Sequence, residues 1–462
     1  MTVTPKILNQ TAIPSRRGIF HNNVSLYSLS VPLGDNRFLL VYKDGTSGVT
    51  GLFCKVGTIN SDGSFTYGDA FQFGTTSTLS DALSVCLIDS TRVLIVFSNA
   101  AQSNYVYAVV ATIDGNNVSF GTLFQVYTAG ATYIDCCYIG NNFYAIAFSG
   151  SSNYAQTAIV SITGTTISLA RSTITLYSGT STYINVTPLS NLRYIVTFAV
   201  GATLYSYLCI FDGTNSISIF SSSYSASSPA YIDSAKIDDN NVLIVYTNSN
   251  NGLYGVILNI NGTAMTYGTA VTLDAITAVN RINITEMVGG LFVVAYRNST
   301  ENSLRAVAVQ VNGSSISVGN VYKFSNLTNN TTYCLYITSL SNTLAVINVN
   351  TNNYSYNVAL SVNGMQLSES LFFETIVSNS QEHTEVVSLY TVYTGGSGSA
   401  TVTLFLNDIP IRKFTISPDS EFVINLANCP IILRGSDTLK AYVDNSTQGQ
   451  VHITAIGLEV AA

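Results

Sequence analysis

A two-residue turn signal recurs seven times in this chain: Asp62-Gly63, Asp114-Gly115, Thr163-Gly164, Asp212-Gly213, Asn261-Gly262, Asn312-Gly313 and Asn363-Gly364. The glycines step by 52, 49, 49, 49, 51 and 51 residues. Asp-Gly and Asn-Gly are strong hairpin signals, because a type I′ turn needs positive φ at both central residues. An apolar, strand-like run lies on either side of each turn. A fixed period with strand content in every unit predicts a propeller-type array.

The units cover residues 21–373. The first sets the pattern: strands near Leu26 to Leu33, Arg37 to Lys43, Gly51 to Ile59 and Phe65 to Phe73. The second strand ends in Val41-Tyr42, Val96-Phe97, Ala147-Phe148, Thr197-Phe198, Val245-Tyr246 and Ala295-Tyr296, whereas unit seven has Ile347-Asn348. The fourth strand begins with a motif ending in Gly68, Gly121, Gly268 and Gly319 in four units; units three and four carry Ala170 and Phe220 instead. Four short antiparallel strands cannot bury both faces alone. Stacking sheet on sheet does so, and closing the ring leaves only short edges. The second strand reads as a continuous apolar run, as expected of a strand covered on both faces. With no evident polar capping repeats, the array is read as a closed seven-bladed β-propeller rather than an open solenoid.

Residues 1–20 form a lead with Arg16 and Arg17, which supplies either a ring-closing strand or an attachment peg. Residues 374–462 leave the period. Seven short strands between Val386 and Val460, with turn signals at Gly395 to Gly398 and Ser417-Pro418-Asp419, predict a small antiparallel β-sandwich.

The first strand of each unit is the innermost in a propeller. Aligning the units puts Tyr27, Ala82, Tyr133, Tyr183, Tyr231, Arg281 and Tyr333 at one position. Two residues on stand Leu29, Ser84, Asp135, Asn185, Asp233, Asn283 and Leu335. Strand periodicity is two, so both sets share a face. If that face lines the axis, a tyrosine ring stands above a ring of carboxylates and amides. Either the tyrosines fill the wedge between blades over a hydrated channel, or they form a stacking platform for a sugar or cation. The binding residues expected on the second reading are Tyr27, Tyr133, Tyr183, Tyr231, Tyr333, Asp135, Asn185, Asp233 and Asn283.

Charged residues make up only 9% of the chain, against 29 Tyr and 21 Phe and no Trp. The net charge is −7 and there is no basic run, so no nucleic-acid footprint is present. No apolar run approaches the roughly 18 residues of a membrane helix, and no signal-peptide h-region opens the chain. The seven cysteines include no C-x-x-C pair; the six in predicted strands are read as small buried residues, Cys429 stands apart in a loop-like stretch, and folding in a reducing cytoplasm is expected. His21, His383 and His452 are scattered, so no metal site is expected and no cofactor is implied. Glu382, His383 and Glu385 read as a solvated turn. No Gly-x-Ser-x-Gly elbow is present. The only carboxylates to nominate for glycosidic cleavage are Asp135 and Asp233, with Glu286 a further option, and the chain is expected not to be an enzyme.

The segments Asn241-Val242-Leu243-Ile244-Val245-Tyr246 and Asn261-Gly262-Thr263-Ala264-Met265-Thr266-Tyr267-Gly268-Thr269 resemble propeller repeats of tailed-bacteriophage virion proteins. The stretches Ser399 to Leu406 and His452 to Gly457 are similar to a small β-sandwich at the ends of phage fibre and capsid-decoration proteins. This resemblance implies a virion protein assembled in the host cytoplasm. The expected function is a tail-fibre or receptor-binding component that recognises a host-surface carbohydrate. The alternative is a structural part (capsid decoration, head fibre or tail-hub spacer) that binds only other virion proteins. By analogy with phage appendages, a homo-oligomer, a trimer, is expected.

Overall fold

A computed structural model gives the fold. It describes residues 6–14, 18–21, 25–44, 51–60, 65–75, 82–99, 102–250, 252–301, 303–324, 334–350, 355–369, 374–378, 383–394, 400–406, 409–416, 421–425, 431–434, 438–445 and 450–460. The Asp62-Gly63 turn, Tyr333, Arg16, Arg17, Cys429, Glu382 and the Gly395 to Gly398 turn lie outside the described residues. So do the side chains of the three histidines, Cys334 and Glu385.

Each repeat forms an antiparallel sheet whose strands follow chain order from the inside outwards. In blade one these are Ser25–Gly34, Arg37–Asp44, Gly51–Ile59 and an outer strand broken into Phe65–Tyr67 and Phe71–Thr75. The innermost strands of blades two to seven are Leu83–Asp89, Thr132–Gly140, Thr182–Pro188, Ala230–Asp238, Val279–Val288 and Cys334–Ser341. Each touches the next and the seventh touches the first, so the ring is closed. The fold is an all-β, seven-bladed propeller of four-stranded blades.

The second strands are covered on both faces. Tyr42, Phe97, Phe148, Phe198, Tyr246 and Tyr296 are all buried in clusters that span neighbouring blades; Val41, Val93, Ile95 and Phe97 share one. Burying one such ring contributes about 1.5–3 kcal/mol. Blade seven departs from the aromatic pattern, with Asn348 at the closing seam. There the buried Asn348 Oδ1 accepts from Asn357 Nδ2 at 2.6 Å and from Ser30 Oγ at 3.4 Å. Ser28 Oγ donates to Asn350 Oδ1 at 2.6 Å, and Tyr67 OH donates to Asn357 Oδ1 at 2.8 Å. The seam is thus joined by buried polar contacts as well as by apolar packing.

The lead also takes part in closure. Gly18–His21 pairs antiparallel with Ser355–Asn363, beside Gln366–Glu369 on the same strand, so the start of the chain completes the outer edge of the last blade. Upstream, Lys6–Pro14 pairs along Gln450–Val460. That last strand also pairs with His383–Thr394, which in turn pairs with Glu421–Asn425 and Ile431–Arg434. A second sheet runs Glu374–Ser378, Thr438–Asn445, Ala400–Leu406, Ile409–Ile416. Glu374–Ser378 is a strand the sequence pattern did not reveal.

The repeated turn proves to be of another type than expected. Strand pairing such as Asp114↔Asn117 and Asn261↔Ala264 makes the glycine the first central residue. Gly115, Gly164, Gly262, Gly313 and Gly364 have φ between 56° and 63°, while the residue after each does not have positive φ. That is the type II′ pattern, not I′. Type I′ hairpins occur instead between the first and second strands, at Asp35-Asn36 (φ 52° and 58°) and Asn141-Asn142 (φ 51° and 63°).

The second recurrent glycine has a packing cause. A Cβ on Gly121 would stand 2.6 Å from the Thr165 carbonyl oxygen, and one on Gly319 2.6 Å from that of Met365. On Gly68 it would stand 3.0 Å from that of Asn116. Each of these oxygens belongs to the turn of the next blade. Gly268 differs, since its Cβ would make only ordinary contacts, 3.5 Å from the Ile257 carbonyl oxygen and 4.0 Å from Asn259 Nδ2. Gly121→Ala is therefore expected to destabilise the protein by about 1–3 kcal/mol, and Gly268→Ala to stay within about 0.5 kcal/mol. Urea denaturation of both variants checks this; equal losses would remove the close approach as the cause.

Candidate functional site at the axial mouth

The innermost strands of blades three to six share a backbone irregularity at their outer end. Strand register jumps from Thr132↔Ser149 to Asp135↔Ala147, from Thr182↔Ala199 to Asn185↔Thr197, and from Ala230↔Thr247 to Asp233↔Val245. Each jump inserts one extra residue, a β-bulge. Tyr133, Tyr183 and Tyr231 occupy these bulges with φ of 50°, 56° and 47°, and Arg281 takes φ of 53° at the corresponding irregularity of blade six. Left-handed backbone costs a residue with a Cβ about 1–2 kcal/mol. Such strain persists where surrounding contacts hold it, and it gathers at ligand sites.

The bulges turn these four side chains to one opening on the propeller axis. Tyr27, Tyr133, Tyr183, Tyr231 and Arg281 line it, with Ile134, Ile184, Ile232 and Ile282 between them and Leu29 and Leu335 completing the wall. The rings form an arc. Tyr133 and Tyr183 have centroids 5.4 Å apart and planes at 54°; Tyr183 and Tyr231 are 5.1 Å apart at 50°. The Arg281 guanidinium continues the arc, 5.9 Å from the Tyr231 centroid, a cation–π distance. Ala82, in the same sequence position in blade two, is buried in the core instead. Of the expected tyrosines, Tyr27, Tyr133, Tyr183 and Tyr231 meet here. Arg281 was missing from the expected set, although its register position marked it.

Beneath the arc, the four polar residues of the expected set are linked into one chain of hydrogen bonds across the blades. Asp135 Oδ1 accepts from Ser84 Oγ and from the Cys136 N–H, both at 2.8 Å. Its Oδ2 accepts from Asn185 Nδ2 at 3.1 Å and from the Val186 N–H at 2.8 Å. Asp233 repeats the scheme one step on. Asn185 Nδ2 (2.6 Å) and the Ser234 N–H (2.8 Å) serve Oδ1, and Asn283 Nδ2 (2.6 Å) and the Ile284 N–H (2.9 Å) serve Oδ2. Asn283 Oδ1 then accepts the Ile337 N–H of blade seven at 2.7 Å. Ser234 Oγ donates to Asn185 Oδ1. The chain stops at Leu335 and Leu29, so it is an arc and not a full ring.

A carboxylate has about four acceptor positions, and each of these two uses four. They act as clasps, since each joins its own blade to the backbone of the next. That leaves neither carboxylate an acceptor position for a ligand cation or an attacking water, which removes the pair proposed for glycosidic cleavage from catalytic use. Among the described residues no group of three or more His, Cys, Asp or Glu side chains is placed to hold a metal ion. Cys54, Cys136, Cys137 and Cys209 are buried and Cys86 half-buried, all as free thiols. Burial pushes the Cys54, Cys86 and Cys209 thiols up to about 12.

Burial also pushes the carboxyl groups up, Asp135 to about 6 and Asp233, with the charge of Asp135 adding, to about 7; the N–H donors oppose the rise. Both groups therefore hold protons more tightly in the folded state, and stability falls where the folded state binds more protons and pH increases. Their contribution is complete below the unfolded value of about 4 and is lost as pH climbs through 6–7. Melting temperature should fall between about pH 4 and 7, and Asp233→Asn should flatten that fall. An unchanged slope in the variant would contradict the assignment.

No protein-family model matches the sequence, and none of the curated proteins does. Similar folds occur among solved structures. A protein described as a candidate 6-phosphogluconolactonase from Bacteroides uniformis is 10% identical with a TM-score of 0.50, over 73% of this chain and 96% of its own. AofleA from Arthrobotrys oligospora is 9% identical with a TM-score of 0.46, over 69% and 90%. The fucose-recognising, six-bladed lectin of Aleuria aurantia is 14% identical with a TM-score of 0.40, over 65% and 96%. At these identities the likeness is one of fold. Fold and site together define a seven-bladed β-propeller with an aromatic mouth on its axis.

Proposed function

We propose that this protein is a non-enzymatic receptor-binding component of a tailed-bacteriophage particle, and that the axial mouth holds a host-surface glycan. The observation that carries the reading is the arc of Tyr133, Tyr183 and Tyr231, held by strained bulges around an open depression. Tyrosine offers a broad apolar face and a polar tip, the combination that suits a sugar ring with its C–H face and hydroxyl rim. The phage assignment draws on the repeat resemblance and on the Ser/Thr/Asn/Tyr-rich, charge-poor composition. In this reading the two sheets built from residues 374–460 and the lead strand form a β-sandwich that attaches the propeller to other virion proteins and carries a homotrimer contact.

Tyr183→Gly is the informative variant. Glycine adopts left-handed φ freely, so the backbone is relieved while the ring is lost. The full-length variant should keep its fold by circular dichroism and melt no more than a few degrees away from the parent. Its binding on a glycan array and its adsorption to host cells should drop, by a factor of about 2–10 for one aromatic contact. Unchanged binding in a folded variant would contradict the reading. Absence of any glycan binding by the parent would favour a structural part that contacts only other virion proteins.

A further inference from the structure

The mouth holds a cation at one end of its aromatic arc. Arg281 stands where three other blades place tyrosine, in the same left-handed conformation, and its guanidinium lies against Tyr231. On the adjoining strand Leu291–Asn298, Arg297 pairs with Asn280, the residue before Arg281, and is held below the usual arginine range first by burial and then by the charge of Arg281. The Arg281 guanidinium thus sets a positive charge at this end of the mouth, in a chain whose net charge is −7. Asp135 and Asp233 beneath offer a ligand no acceptor of their own, because every acceptor position is already taken by a donor.

We propose that the mouth selects an acidic sugar, a uronic or sialic acid residue, with the carboxylate on the Arg281 guanidinium and the sugar ring against Tyr183 and Tyr231. This deepens the glycan-binding reading and rests on it. A planar guanidinium matches a carboxylate with two parallel hydrogen bonds, which a compact ammonium cannot do. A cationic ligand is disfavoured by the same arrangement, since Arg281 already lies over the Tyr231 ring and would repel it. Binding of the acid should weaken as salt is raised, because part of its strength is charge attraction at an open mouth.

The test uses the full chain and a matched pair of probes: an oligosaccharide ending in glucuronic or sialic acid, and the same oligosaccharide with that carboxyl reduced to the alcohol. Titration calorimetry should give the acid about tenfold tighter binding or more, the usual scale of a charge-assisted hydrogen bond. Arg281→Gln should erase the preference, bringing the affinity for the acid down to that for the reduced probe, and Arg281→Lys should keep only part of it. Arg281→Gly, which suits the left-handed backbone, serves as the folded control should the glutamine variant misfold. Equal binding of acid and alcohol by the parent, or a preference that survives loss of Arg281, would overturn the acidic-sugar assignment and leave glycan binding standing. Binding of neither probe, with a silent glycan array, would overturn both.

Discussion

A carboxylate that accepts the backbone N–H of the next blade is the contact on which the axial architecture depends. Asp135 reaches Val186 and Asp233 reaches Ile284, and in each case the residue grasped lies directly after the matching position in the following blade. Apolar packing between blades is non-directional; it brings sheets together without setting how far each inner strand projects toward the axis. The clasps supply that setting. Asn185 donates to both carboxylates, so displacing one blade would disturb three.

The clasps and the bulges belong to one device. In blades three and five the clasping aspartate is the residue where regular pairing resumes after the extra residue. A left-handed tyrosine two positions earlier would relax to ordinary strand geometry were the strand free to slide. Tying the aspartate to the adjacent backbone prevents that slide. The energy cost of the strained positions is thereby offset by hydrogen bonds made deeper in the ring, and what it yields is the presentation of three tyrosines and an arginine at one opening. Ring closure at the other side of the axis uses different means: Leu29 and Leu335 interrupt the clasp chain, and Ser28, Ser30, Asn348 and Asn350 join blades seven and one.

Much of this was legible in the sequence. The turn period gave the blade count, the apolar second strands gave the covered layer, and limits such as Gly51 to Ile59 and Ala400 to Leu406 match the observed strands. The recurrent Gly121 and Gly319 have their reason in contacts between blades. The turn type departs from the expected one because pairing places Asp114 opposite Asn117, which makes the glycine, and not the aspartate, the first central residue. Alignment brought Tyr133 and Asp135 into register, but strict alternation predicts that they share an environment. The bulge between them separates a residue that lines the mouth from a half-buried clasp beneath it, and a bulge leaves no mark in a pattern of residue types. The pairing of Gly18–His21 with blade seven joins residues more than 300 positions apart, beyond what local pattern can reveal.

In the proposed function, strained tyrosines fixed by carboxylate clasps form the binding surface. A crystal structure of the full chain with a bound acidic oligosaccharide tests it most directly. The account predicts sugar density across Tyr183 and Tyr231 with its carboxylate on Arg281, Tyr133, Tyr183 and Tyr231 still in the left-handed region, and Asp135 and Asp233 still bonded to Val186 and Ile284. Density for the sugar on the outer blade edges, or on the C-terminal sheets, with the mouth empty would contradict it.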